Sequence, residues 1–222
     1  MKNTIYLVAL CASLYGQPFA NLALADVIFE SGTLGPTGIL YSQLGNTVPG
    51  TEVFLSVFPG VRFELTQPVK TTSVGGHLVA STGGTFFGAI VALDDENDFP
   101  NSGNLSTPDV LGTATLTFPN PSNEVFGNLE LELGPGWYAL VFGSELFNTT
   151  GAGGAVRNGM DLGNPTYISF QPDQWFNLDD LPLPFDNHRF VVNGEIVPEP
   201  SSLVLVLLTI LALSPRLKMI AR

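Results

Sequence analysis

Through the middle of the chain, apolar residues fall in short runs rich in Val, Ile, Phe, Tyr and Thr, separated by clusters of Gly, Pro, Asn and Asp. No long stretch repeats at the three-and-four spacing of an amphipathic helix, and runs of this kind bounded by turn residues predict strands. The expected strands cover 52–58, 61–66, 72–80, 86–93, 110–118, 125–133, 137–142, 166–170 and 188–193. In Leu129-Glu130-Leu131-Glu132-Leu133 the alternation is strict, which in a strand puts the leucines on one face and the carboxylates on the other. The fold class expected is all-β, a two-layer antiparallel β-sandwich of jelly-roll-like form that buries its alternating Phe, Leu and Val between the sheets. With no repeat period and no linker, residues 26–196 read as one domain.

The two ends break this pattern. Lys2 leads into the apolar run Ile5-Tyr6-Leu7-Val8-Ala9-Leu10-Cys11-Ala12-Ser13-Leu14-Tyr15, followed by Gly16 and Pro18 and then by Ala23-Leu24-Ala25 ahead of Asp26. A positive start, an apolar stretch too short to span and small residues at the third and first positions before a cut describe a secretory signal peptide, residues 1–25, cleaved between Ala25 and Asp26. Cys11 is the single cysteine. A lipoprotein would be cut just before it, where Leu10 fits poorly. Removal of residues 1–25 leaves no thiol, and therefore no disulfide, cysteine nucleophile or thiolate metal site.

At the other end, Ser201-Ser202 opens the apolar run 203–213, which is followed by Ser214-Pro215 and the bases Arg216, Lys218 and Arg222. A helix over 201–214 would be about 21 Å long, against a hydrocarbon core of roughly 30 Å. A transmembrane helix of about 201–217 gains the difference through snorkelling of Arg216 and Lys218 and local thinning of the bilayer, with the bases on the cytoplasmic side.

Val197-Pro198-Glu199-Pro200, the apolar helix and the basic terminus, in that order, resemble the PEP-CTERM sorting signal of Gram-negative bacteria. The resemblance covers residues 197–222. It implies recognition by a membrane-embedded exosortase, cleavage near Pro-Glu-Pro, and passage through the inner membrane to the cell surface or the extracellular space, often in bacteria that make exopolysaccharide. Pro198 and Pro200 suit that role, because they keep the backbone beside the membrane extended and out of helix. Phrases of the central region, among them Val61-Arg62-Phe63, Gly75-Gly76-His77 and Leu133-Gly134-Pro135-Gly136-Trp137-Tyr138, are similar to those of exported PEP-CTERM proteins of undefined activity. They bring no catalytic residue with them.

Charge sharpens the division. The chain holds 20 Asp plus Glu against 8 Lys plus Arg, a net −12. Lys2, Arg216, Lys218 and Arg222 lie in the terminal segments, so residues 26–200 keep four bases against all twenty acids, a net −16. That balance excludes nucleic acid as a partner held through its phosphates.

The central region offers little organised chemistry. His77 and His188 have no metal-ligand spacing and no catalytic motif beside them; the expectation is a hydrogen-bonded structural role, with His188 exposed. A hydrolase triad assembled from distant residues stays the lesser alternative. Glu130 and Glu132 read as a solvated sheet face rather than a glycosidase pair. Asp94-Asp95-Glu96-Asn97-Asp98 lacks EF-hand spacing and reads as a solvated acidic loop, with calcium as the minor alternative. In the loop Asp173-Gln174-Trp175-Phe176-Asn177-Leu178-Asp179-Asp180, core packing of the aromatics is favoured over sugar stacking. Gly151-Ala152-Gly153-Gly154 reads as a flexible loop. No cofactor and no metal is expected. The function expected is that of an exported, non-enzymatic surface or matrix protein, with signal peptidase, exosortase and the membrane as partners during export and exopolysaccharide as its associate outside. A secreted polysaccharide-active enzyme and a permanently anchored single-pass protein are the alternatives.

Overall fold

The computed structural model describes residues 26–35, 37, 51–53, 57–171, 173–180 and 186–197. The expected signal peptide and C-terminal helix lie outside them. The apolar runs form strands: β1 (Asp26–Glu30), β2 (Thr51–Val53), β3 (Phe58–Leu65), β4 (Val69–Gly83), β5 (Thr85–Leu93), β6 (Val110–Thr117), β7 (Asn123–Asn128), β8 (Glu132–Leu133), β9 (Gly136–Gly143), β10 (Ala152–Ala155), β11 (Thr166–Gln171), β12 (Gln174–Asn177) and β13 (Phe190–Ile196). Among the described residues the fold is all-β, with its strands in two antiparallel sheets.

The first sheet is organised on β4. Along one edge β4 pairs with β13 over residues 69–76 and then with β10 from residue 78 onward. Along the other it pairs with β8 and β7. β1 lies on the far side of β13, with Asp26 opposite Gly194, and β2 lies on the far side of β10. The second sheet runs β12-β11-β3-β9-β5-β6. The chain passes from one sheet to the other at Gly83 and Gly84, both in the left-handed region (φ 84° and 91°), which glycine enters without steric penalty.

Both sheets feed one shared core. Val74, Leu78, Phe190 and Val192 of the first meet Phe63, Phe86, Leu140, Phe142 and Tyr167 of the second. Phe142 stacks on Phe190 and Phe29 on Phe63, each pair with centroids 4.8 Å apart. Each fully buried Phe or Leu contributes about 1.5–3 kcal/mol, before the entropy of ordering is subtracted.

The second sheet is buried on its other face as well. Phe58, Phe87, Val91, Val141 and Ile168 form a separate cluster covered by Phe99, Leu105, Leu146 and Trp175. This explains the continuous apolar run of β5, which shows none of the alternation expected of a half-solvated strand.

Two expectations change. The run 125–133 is not one strand: the Thr71 hydroxyl donates to Leu129 O (2.6 Å) and accepts from Leu131 N–H (2.9 Å), replacing the ladder between β7 and β8. Even so, Leu129 and Leu133 stay buried and Glu130 and Glu132 exposed, as the alternation predicts. The glycine-rich stretch expected to be a flexible loop contains β10, a strand hydrogen-bonded on both edges. Its glycines are there for clearance, since a Cβ on Gly153 would meet the Val79 carbonyl oxygen and come within 2.5 Å of the Phe118 ring. Gly153→Ala should therefore lower stability by about 1–3 kcal/mol in urea unfolding, the range for overpacking. Gly134→Ala, where nothing lies within 4 Å of the added atom, should change it by less than about 0.5 kcal/mol.

Candidate functional site

The residues flanking the two expected cuts come together. Asp26 begins β1 and pairs with Gly194 near the end of β13. One residue beyond the end of β13, the Val197 N–H still donates to Pro68 O (2.9 Å), but Ile196 and Val197 are 51% and 40% exposed. Ala23, Ala25, Pro198, Glu199 and Pro200 lie outside the described residues. The chain therefore enters and leaves the described region on neighbouring strands, at one end of the first sheet.

The acidic loop 94–98 is organised around a cation from the protein itself. Arg62 sits on β3 with its side chain 3% exposed. Its Nε donates to Asp98 O (2.6 Å), Nη2 to Asn97 O (3.1 Å) and Nη1 to Asn177 Oδ1 (2.7 Å). The guanidinium also lies 4.3 Å from the centre of the Phe99 ring. Asp98 and Asp95 accept from the backbone N–H groups of Asp94 and Asn97 at 2.8 and 2.7 Å. The loop is thus folded on its own amides and pinned to the sheet by Arg62, whose pKa burial pulls down against the raising effect of Asp98, Asp179 and Asp95. Among the described residues, no group of three or more His, Cys, Asp or Glu is placed to hold a metal ion.

The aromatic loop is likewise structural. It forms β12 against β11 and then a 3-10 turn, Leu178–Asp180. Trp175 packs on Phe170, with centroids 5.4 Å apart, and Phe176 packs against the shared core. Neither aromatic stands out as a sugar platform. Asn177 holds Arg62, and the Asp179 carboxyl is raised above its usual range by burial and by Asp161 and Asp180.

Both histidines are buried, which corrects the expectation of an exposed His188: it is 2% exposed and forms a bridge with Arg157 rather than starting a strand. Around it Tyr167 donates to Asp161 Oδ1 (2.6 Å) and lies 2.8 Å from His188 O, the Ser31 hydroxyl donates to the same carbonyl at 2.7 Å, and Asn187 N–H donates to Asp161 Oδ1 (2.7 Å). Burial pushes the His188 imidazole down to about 4.

His77, on β4 where its edge partner changes from β13 to β10, shares a 2.6 Å hydrogen bond between its Nδ1 and Asn158 Oδ1. The Asn158 amide nitrogen donates to Val156 O (2.7 Å), so its oxygen is the acceptor and His77 carries its proton on Nδ1. Its Nε2 is then a bare acceptor with no partner among the described residues. Burial lowers this histidine too. An amide, not a carboxylate, orients it.

From sequence, Arg62 figures only within the phrase Val61-Arg62-Phe63, with no role attached, and Asn158 not at all. The signal for Arg62 was a lone base between Val61 and Phe63 in an apolar strand; Asn158 had none. Compared with protein families, with curated proteins and with solved structures, the chain finds no match.

Two outcomes follow from this geometry. Arg62→Lys keeps the charge but loses the planar fork, and should cost about 1–3 kcal/mol in urea unfolding; an unchanged midpoint would show that the loop is not held this way. Because His77 and His188 have folded pKa values below the unfolded value near 6.5, the unfolded chain binds more protons below that pH. Stability should therefore fall as pH drops from about 6.5 to about 4, His188 alone contributing a loss of about 3 kcal/mol by the lower limit. Unfolding curves across that window should show the slope, and His188→Asn should flatten it.

Proposed function

We propose that the chain is the precursor of an exported, non-enzymatic surface or matrix protein associated with exopolysaccharide. In this reading the two sheets form a jelly-roll-like sandwich, signal peptidase cuts between Ala25 and Asp26, and an exosortase acts near Val197-Pro198-Glu199-Pro200 while the helix at about 201–217 holds the precursor in the inner membrane.

The observation that carries the reading is the pairing of β1 with β13. A folded body held at the membrane by its C-terminal segment has to present the cleavage region without unravelling its core. Asp26 opposite Gly194, with Ile196 and Val197 already exposed, meets that requirement. The strand ends before the prolines, so a cut there removes no described core residue. An N-terminal cut immediately before Asp26 likewise spares every residue of β1.

Mass spectrometry of the protein isolated from its own cells tests this. The expected product starts at Asp26 and ends close to Pro198-Glu199-Pro200. A mature C-terminus at Arg222 would refute sorting and leave a permanently anchored protein.

A further inference from the structure

β3 is partnered by β11 only as far as Arg62 opposite Thr166, so Phe63, Glu64 and Leu65 keep one edge without a strand among the described residues. β1 is the outer strand of the first sheet. Along the seam between them open two clefts, of about 390 Å³ and about 320 Å³, that share Ile28 and Glu64 and so form one trough. Its size suits a ligand, since binding clefts span roughly 300–1,000 Å³.

The walls combine two kinds of surface. Phe29, stacked on Phe63, and Trp137 are both half-buried and line it with apolar atoms, while Glu64 and Asn164 offer groups that exchange hydrogen bonds with hydroxyls. Glu64 is exposed, and its carboxylate makes no hydrogen bond or ion pair with any described residue. Glu30, in the same wall, is different, because Arg189 already holds it at 2.5 Å.

A peptide adding itself as a strand would need a regular edge. β1 is short and shifts register between Val27 and Phe29, a bulge of the kind that discourages further strand pairing. A sugar chain needs no ladder; it lays its C–H face on aromatic rings and its hydroxyls on carboxylates and amides.

Charge narrows the class. Residues 26–200 carry a net −16, which repels a uronate polymer. Arg62 also lines the larger cleft, but it is 3% exposed and its Nε, Nη1 and Nη2 are bonded to Asp98, Asn177 and Asn97; the free carboxylate of Glu64, with Asp26 lining the smaller cleft, complements a protonated amine. We propose that this trough binds an amine-bearing hexosamine chain, a partly or fully deacetylated aminoglycan. The proposal rests on the reading of the protein as exported and polysaccharide-associated.

The test is calorimetric titration of the full chain, held in a zwitterionic detergent without sugar groups, at mildly acidic pH where the amine is protonated. The probes are a glucosamine hexamer, its fully N-acetylated counterpart and a uronate hexamer. The glucosamine hexamer should bind about tenfold or more tightly than the acetylated one, and the uronate hexamer should give no heat. Glu64→Gln should weaken glucosamine binding about tenfold, the loss of one charge-assisted contact, without changing the acetylated probe. Glu145→Gln, an exposed acid just beyond the far end of β9 from Trp137, should change neither. Equal loss in the two variants would mean general attraction of a polycation and would overturn the proposal. Acetylated or uronate binding that matches glucosamine and survives Glu64→Gln would overturn it too, while leaving polysaccharide association intact. No heat with the glucosamine hexamer would overturn the proposal, whatever the other two probes do.

Discussion

Backbone pairing between β1 and β13 holds the first described residues against the last. Because β13 in turn lies along β4, this ladder ties both ends of the described region to the longest of the described strands. Each hydrogen bond contributes only about 0.5–1.5 kcal/mol net, and side chains reinforce them on both faces. Inside, Phe29 of β1 stacks on Phe63 of the second sheet. Outside, Arg189, whose side chain is 10% exposed, bonds Glu30 of β1 and Glu124 of β7, each at 2.5 Å, and so spans the sheet from one side of β13 and β4 to the other. Burial alone would lower the Arg189 pKa; the two carboxylates outweigh it and raise the value. Arg189 is the most buried member, so removing both carboxylates would leave its charge largely shielded from water without a partner, which is costly.

The shared core was largely legible in the chain because its strands announce themselves. β5, β6, β9 and β11 follow the β-branched and aromatic runs to within a residue or two. The elements that were not legible lack that signature for physical reasons. β10 consists of glycine and alanine alone, and it is a strand because β4 and β2 supply its hydrogen bonds and Phe118 lies over it; none of these neighbours is near it in sequence. β12 is four residues long and half polar. The break between β7 and β8 depends on a single hydroxyl, Thr71, which no pattern along residues 125–133 can reveal.

The chemistry-bearing residues show the same division. The stretch 94–98 keeps its acidic side chains toward solvent, as its composition suggests, but gives the backbone carbonyls of Asn97 and Asp98 to Arg62, while Trp175 and Asn177 of 173–180 pack on the second face of the second sheet and hold Arg62. Sequence composition could indicate carboxylates, amides and aromatics, but not that their hydrogen bonds are used internally. The trough beside β1 was invisible for the opposite reason. Glu64, Phe29 and Trp137 are far apart in sequence; the β3–β9 ladder sets Glu64 opposite Trp137, and Phe29 of β1 lines the same cleft beside the edge of β3 that β11 leaves unpaired beyond Arg62.

Sorting of the kind proposed depends on the two ends of the described region being clasped side by side, and disulfide trapping tests that clasp directly. Val27 and Asn193 are opposite one another in the ladder, and opposed antiparallel residues have Cα atoms about 4.5–5.5 Å apart, within the range a disulfide accepts. With Cys11 changed to serine, the double variant Val27→Cys, Asn193→Cys should oxidise to a single intramolecular crosslink that runs faster on a denaturing gel and returns to normal with reductant. The account predicts that pair to close and Val27→Cys with Glu145→Cys to stay open. Failure of the first pair to close in the folded protein, or equal closure of both, would contradict it.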